Sequence, residues 1–185
     1  MSINVHSITY PQALRFRGRV AYAVEGLLIA LAVLFPMAAH ALGLPVFVLL
    51  PMHWTILLAG LVYGWKAGLL AGLAAPLASF ALTGMPFPAL LPLITVELSV
   101  YGLAAGLFSR KGRINGFIAM ALTLIAGRAA FTLTALSLGR INEGLGEFLQ
   151  ASFAAGLPAA ALQIALLPVI AGALSTLLSP SAKRS

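Results

Sequence analysis

The chain has 185 residues, 61% of them hydrophobic and 8% charged, with a formal net charge of +7 and no cysteine. Soluble domains carry about a quarter charged residues, so the composition excludes an ordinary globular protein; the missing cysteines exclude disulfides, thiol nucleophiles and cysteine–metal sites. The positive charge does not indicate nucleic acid, because the basic residues sit in short segments between apolar runs and form no continuous basic face.

A mean hydropathy of +1.04 and apolar runs of about twenty residues predict an all-α integral membrane protein. The polar–apolar alternation of barrel strands is absent. Residues 1–19, with Arg15, Arg17 and Arg19, are polar and read as a tail or a short interfacial helix. Residues 20–178 read as a membrane domain of six spans in a single compact bundle, and 179–185 as a second tail.

Span 1 is expected from Val20 to Ala39. Its end, Ala39-His40-Ala41, resembles a signal-peptidase site, but cleavage is not expected because the apolar region is long and the charge balance needs this span. Gly26 and Ala30 form a small-xxx-small pair, which marks either a helix contact face or ordinary internal packing. Glu25, near the span's basic end, is expected to pair with Arg15, Arg17 or Arg19.

Gly43, Pro45 and Pro51 predict an outer loop or re-entrant element before span 2, which runs from Met52 to Tyr63. That span covers only about 18 Å, too little to cross alone. Gly64–Gly68 reads as a tight turn with Trp65 and Lys66 as interfacial anchors, and span 3 follows over Ala67–Leu82. Gly60, Gly64, Gly68 and Gly72 recur every fourth residue, a spacing that lets helices approach closely.

Thr83–Pro88 reads as a rigid outer loop, followed by span 4 (Ala89–Phe108), a basic loop over 109–113 and span 5 (Ile114–Leu136). After a loop over Gly139–Gly144, span 6 runs from Glu147 to Leu178. It is too long for one straight crossing, so Pro158 and Pro168 are expected to kink it, or its first turns to lie outside the hydrocarbon. With six spans, one face holds nine of the eleven Lys and Arg residues. The positive-inside rule then puts both termini in the cytoplasm.

Glu97 in span 4 and Arg128 in span 5 each lie about eight residues below the outer surface, roughly 12 Å deep. An unpaired charge at that depth costs at least ~2.5–3.5 kcal/mol, so a mutual salt bridge or shared polar cavity is expected. Such a pair either fixes helix register or faces a ligand. Tyr101 lies one turn from Glu97 and Thr132 one turn from Arg128 on the same faces.

His53 and Trp54 sit at the outer mouth of span 2, with His40 before them. Either histidine is a ligand contact, a metal contact or a hydrogen-bonding cap, and Trp54 is an interface anchor or a stacking platform. Ser79, Thr83, Met85, Asn142, Glu147, Gln150 and Ser152 are expected on the same outer side, and Gln163 is expected in a helix–helix hydrogen bond. The chain has no Asp, no H-E-x-x-H, no G-x-S-x-G and no P-loop. Metal-assisted hydrolysis and phosphoryl transfer therefore lack their carboxylate sets, and no enzyme, cofactor or metal site is expected.

Pro51-Met52-His53-Trp54, the glycine ladder, Pro76-Leu-Ala-Ser79, Leu82-Thr-Gly-Met-Pro86 and Glu97-x-x-x-Tyr101-Gly102 together resemble the substrate-binding S components of energy-coupling factor vitamin transporters. The resemblance implies capture of a water-soluble vitamin or precursor near the extracellular side of the inner membrane. It also implies a transmembrane coupling subunit and two ATPases as partners, and a site between spans 4 to 6 and the outer loops; the residues read above that are expected to form it are Glu97, Arg128, His53, Tyr101, Trp54, Ser79 and Thr132. Members of that family use an Ala-x-x-x-Ala pair on span 1 to meet the coupling subunit; here the nearest match is Gly26-x-x-x-Ala30. The vitamin is left open: Arg128 suits a carboxylate such as niacin, pantothenate or biotin, and His53 a corrinoid. A competing reading from another class is a structural membrane protein that organises a cell-envelope complex, such as a rod-shape scaffold.

Overall fold

The structure is a computed structural model that describes residues 13–111, 114–142 and 144–179. The expectations for Arg113, Lys183 and Arg184, and for most of both tails, lie outside the described residues. Among those described there is no strand. The helices are α1 (Arg19–Ala41), α2 (Val46–Leu49), α3 (Pro51–Tyr63), α4 (Trp65–Thr83), α5 (Leu91–Lys111), α6 (Gly116–Ser137), α7 (Leu145–Ala154) and α8 (Leu157–Leu178). Five of them, α1, α4, α5, α6 and α8, are long and apolar enough to cross a membrane, and α3 is a shorter apolar helix.

The glycine ladder explains how α3, α4 and α5 meet. The expected turn over Gly64–Gly68 contracts to one residue, Gly64, which ends α3 and starts α4 with φ 85° and ψ −177°. That conformation is essentially open to glycine alone. The chain therefore folds back at the middle of the ladder, and both arms lie on α5. A Cβ at Gly60 would stand 2.5 Å from the Gly102 carbonyl oxygen; one at Gly68 would fall on Gly102, and one at Gly72 on Leu98. From α5, a Cβ at Gly106 would strike the Gly64–Trp65 backbone. Backbone contact of this kind is how helices associate in lipid, where hydrophobic burial supplies no preference.

Helix α3 is the interior element. Its thirteen residues rise about 20 Å, and ten of them are buried. Neighbours α1, α4, α5 and α8 surround it, and Ile56, Leu57 and Leu61 are wholly enclosed. Its shortness is thus compensated by helices that shield it from lipid. Residues 13–18 fold back beneath it: the Leu14 N–H donates to the Val62 carbonyl at 2.7 Å, and Phe16 lies edge-on to Tyr22 at 5.3 Å.

Three expectations are corrected. Span 6 is neither one helix nor a helix kinked at Pro158. It is two helices, α7 and α8, parted at Ala155-Gly156, with Pro158 in the first turn of α8, where its missing N–H costs nothing. Glu25 does not pair with the arginines of the N-terminal segment. It turns inward, 2% exposed, with no hydrogen-bond partner on either carboxylate oxygen among the described residues. The reason is register: the buried stripe of α1, Ala21, Glu25, Leu28 and Ala32, is the one that faces α3. Gln163 makes no interhelical hydrogen bond through Nε2; it lines a cavity instead.

Candidate ligand-binding site

Helices α5 and α6 pack side by side, which brings Glu97 and Arg128 together as their matching depths predict. Arg128 Nη1 lies 3.2 Å from Glu97 Oε1, and the Glu97 side chain is 2% exposed. His53 on α3 approaches from the third side, with Nε2 4.0 Å from the same oxygen. Its ring tilts against Tyr101, 5.4 Å between centroids. Three helices thus contribute one buried polar chain, His53–Glu97–Arg128. A lone charge there would cost several kcal/mol, so the pairing removes an uncompensated ion from the apolar interior.

The arginine is further enclosed by aromatic faces. Its guanidinium carbon stands 5.7 Å from the Phe131 ring and 5.9 Å from that of Phe153; such contacts contribute about 0.5–2 kcal/mol each. Phe148 of α7 stacks on Phe131 at 6.1 Å with planes 12° apart. Two glycines make room for this cluster. A Cβ at Gly127 would land on the Tyr101 ring, and one at Gly156 would sit 3.0 Å from Arg128 Nη2.

Two cavities flank the polar chain. The larger, about 400 Å³, lies between α1, α2, α3, α4 and the segment leading to α5; His40, His53, Ser79 and Thr83 are its polar lining, among Pro36, Met37, Met85 and Phe87. The smaller, about 220 Å³, is walled by Tyr101, Arg128, Phe153, Gly156 and Gln163. Leu50 lines both. It links α2 to α3 in a left-handed conformation, φ 46° and ψ 53°, which costs a leucine about 1–2 kcal/mol and aims its side chain at the partition.

The structure therefore brings Glu97, Arg128, His53 and Tyr101 together and sets Ser79 with His53 in the lining of the larger cavity. Thr132 spends its hydroxyl on the Arg128 carbonyl, 3.0 Å away within α6. Trp54 faces the other way: its indole N–H donates to the Leu49 carbonyl at 3.0 Å, and its ring lines a separate apolar groove with Phe35, Pro158 and Leu162. Successive helix positions point about 100° apart, so His53 and Trp54 cannot share one face. Asn142, Glu147 and Gln150 are exposed and line neither cavity. Gly26 and Ala30 lie on the outward side of α1, with nothing within 4 Å of a Cβ built on Gly26.

Sequence reasoning missed Leu50, Gly127, Phe131, Phe153 and Gly156. Phe131, at i+3 from Arg128, carried a usable signal. Phe153 did not, because its position depends on where α7 breaks from α8. Among the described residues no group of three His, Cys, Asp or Glu is placed to hold a metal ion. The arrangement offers hydrogen bonds, a buried ion pair and apolar walls, which is the chemistry of binding.

A family model for the ECF transporter substrate-specific component matches residues 22–178. No curated protein and no solved structure matches the chain significantly.

Proposed function

The chain belongs to the family of substrate-specific components of energy-coupling factor (ECF) transporters, and from that premise we propose that it captures a water-soluble vitamin or precursor at the outer face of the cytoplasmic membrane for delivery inward. Its partners in this reading are a transmembrane coupling subunit and a pair of ATPases, since the chain itself carries no nucleotide-binding motif. α1, α3, α4, α5, α6 and α8 make six crossings with both termini inside, the arrangement that the distribution of Lys and Arg favours.

The observation that carries this reading is the placement of His53, Glu97 and Arg128, from three different helices, beside two cavities at one end of the bundle. A mere register-fixing pair has no need of adjoining space. The larger cavity, about 400 Å³, is of the size that holds a small organic ligand. It favours a compact vitamin over a whole corrinoid, which with its amide side chains and nucleotide loop exceeds that volume. The outward, uncluttered Gly26/Ala30 face of α1 is the proposed contact with the coupling subunit, because small residues allow the close approach that membrane helices use. The scaffold alternative finds no support in the family match.

The test is mass spectrometry of small molecules carried through purification in detergent, followed by melting curves against a vitamin panel. A stoichiometric vitamin or precursor is expected. An empty protein whose melting temperature ignores the whole panel would overturn the reading.

A further inference from the structure

The charge of the site limits what it can hold. Among the described residues, the Asp, Glu, Lys and Arg side chains at or against the cavities form one pair: Glu97 and Arg128, 3.2 Å apart. The lining of the larger cavity, among the described residues, includes no Lys, Arg, Asp or Glu. In the smaller one, Arg128 is already committed to Glu97 and to the faces of Phe131 and Phe153. An anionic ligand would either take Arg128 from Glu97, whose side chain is 2% exposed, or share the guanidinium and leave the site with a net negative charge. A cationic ligand would strand Arg128 in the same way. Either exchange leaves a buried charge unpaired, the most costly arrangement in an apolar interior.

What the larger cavity does offer is a small set of hydrogen-bonding side chains, His40, His53, Ser79 and Thr83. His53 is 7% exposed, lines the cavity, and neither of its ring nitrogens has a hydrogen-bond partner among the described residues. Thr83 is already engaged, donating to the Ser79 carbonyl at 2.7 Å and accepting from the Met85 N–H at 3.2 Å. The remaining walls are apolar: methionine, proline, Phe87 and the aliphatic residues Val46, Leu50, Leu90 and Ile94. Polarisable thioethers and flat rings of this kind pack well against an aromatic or heteroaromatic body.

We infer that the substrate of this site is an uncharged molecule with a flat, largely apolar body and a hydrogen-bonding edge that meets the side lined by His40, His53 and Ser79; this rests on the binding-protein reading above. The Glu97–Arg128 pair then serves as an electroneutral wall that rejects ions, and specificity comes as much from that rejection as from attraction.

The test uses the full chain in detergent at neutral pH and compares matched probes by calorimetric titration: nicotinamide against nicotinate, panthenol against pantothenate, and biotin methyl ester against biotin. In at least one pair the neutral member is expected to bind, and to bind at least tenfold more tightly than its carboxylate. Glu97→Gln, which leaves Arg128 as an uncompensated cation, is expected to reverse that order. Should this variant not fold, the wild-type comparison decides alone. Tighter binding of the carboxylates by the wild-type chain overturns the inference and leaves the binding-protein reading standing. Failure of every neutral member to bind also overturns it; the binding-protein reading is judged separately, by the ligand carried through purification.

Discussion

At the residue scale, the buried polar chain is where single substitutions are most informative. Truncating one member of a buried ion pair leaves the other uncompensated and costs about 3–5 kcal/mol. Arg128→Ala and Glu97→Ala are expected to lower thermal stability and to weaken ligand binding at least about tenfold, or ~1.4 kcal/mol. If both variants fold and bind as the wild type does, the pair only fixes helix register and the proposed site is wrong. Gly127→Ala tests the packing around it. The new methyl would fall on the Tyr101 ring, and overpacking of this kind typically costs about 1–3 kcal/mol. Because Tyr101 leans on His53, a loss of ligand affinity should accompany the lower melting temperature.

At the element scale, the hairpin of α3 and α4 over α5 decides how the bundle assembles. Gly64→Ala forces a side chain into a conformation that costs about 1–3 kcal/mol. Gly102→Leu acts differently: its φ is ordinary, but the side chain would meet the Gly68 backbone. It is expected to separate α4 from α5 and to destabilise more than Gly64→Ala does, as read by thermal unfolding in detergent. A smaller effect from Gly102→Leu would mean that α4 and α5 can slide apart without penalty. The division of α7 from α8 belongs to this scale as well. α7 has no buried residue, and Phe148 and Phe153 tie it to Phe131 and Arg128. Its ten residues therefore depend on the site they help to enclose.

At the scale of the whole molecule, the proposed topology places Arg140 outside and Lys111 inside. A reporter fused at each position is expected to show that arrangement, and swapped results would overturn both the orientation and an outer ligand site. The apolar outer faces of α1 and α8, including Leu34 at 53%, Val169 at 54% and Leu177 at 72% exposure, are what a lipid-embedded bundle presents. Side chains of this kind in water would form a patch far too large for a soluble monomer.

Composition and hydrophobic runs by themselves determined the membrane class, the helical fold and the approximate extent of α1, α3, α4, α5 and α6, because lipid requires each backbone polar group to be satisfied within its own segment. That Glu97 and Arg128 stand at matching heights on neighbouring helices, and so meet, was legible because rise per residue converts position into height. What sequence spacing could not give is azimuth, the direction in which each side chain points around its helix. Azimuth sent Trp54 away from His53, turned Glu25 inward and tied Thr132 to its own backbone. Only the tertiary structure decided these, because packing of α3 and α4 on α5 through backbone-to-backbone glycine contacts fixes each helix's rotation, and no apolar periodicity records it when every face is apolar.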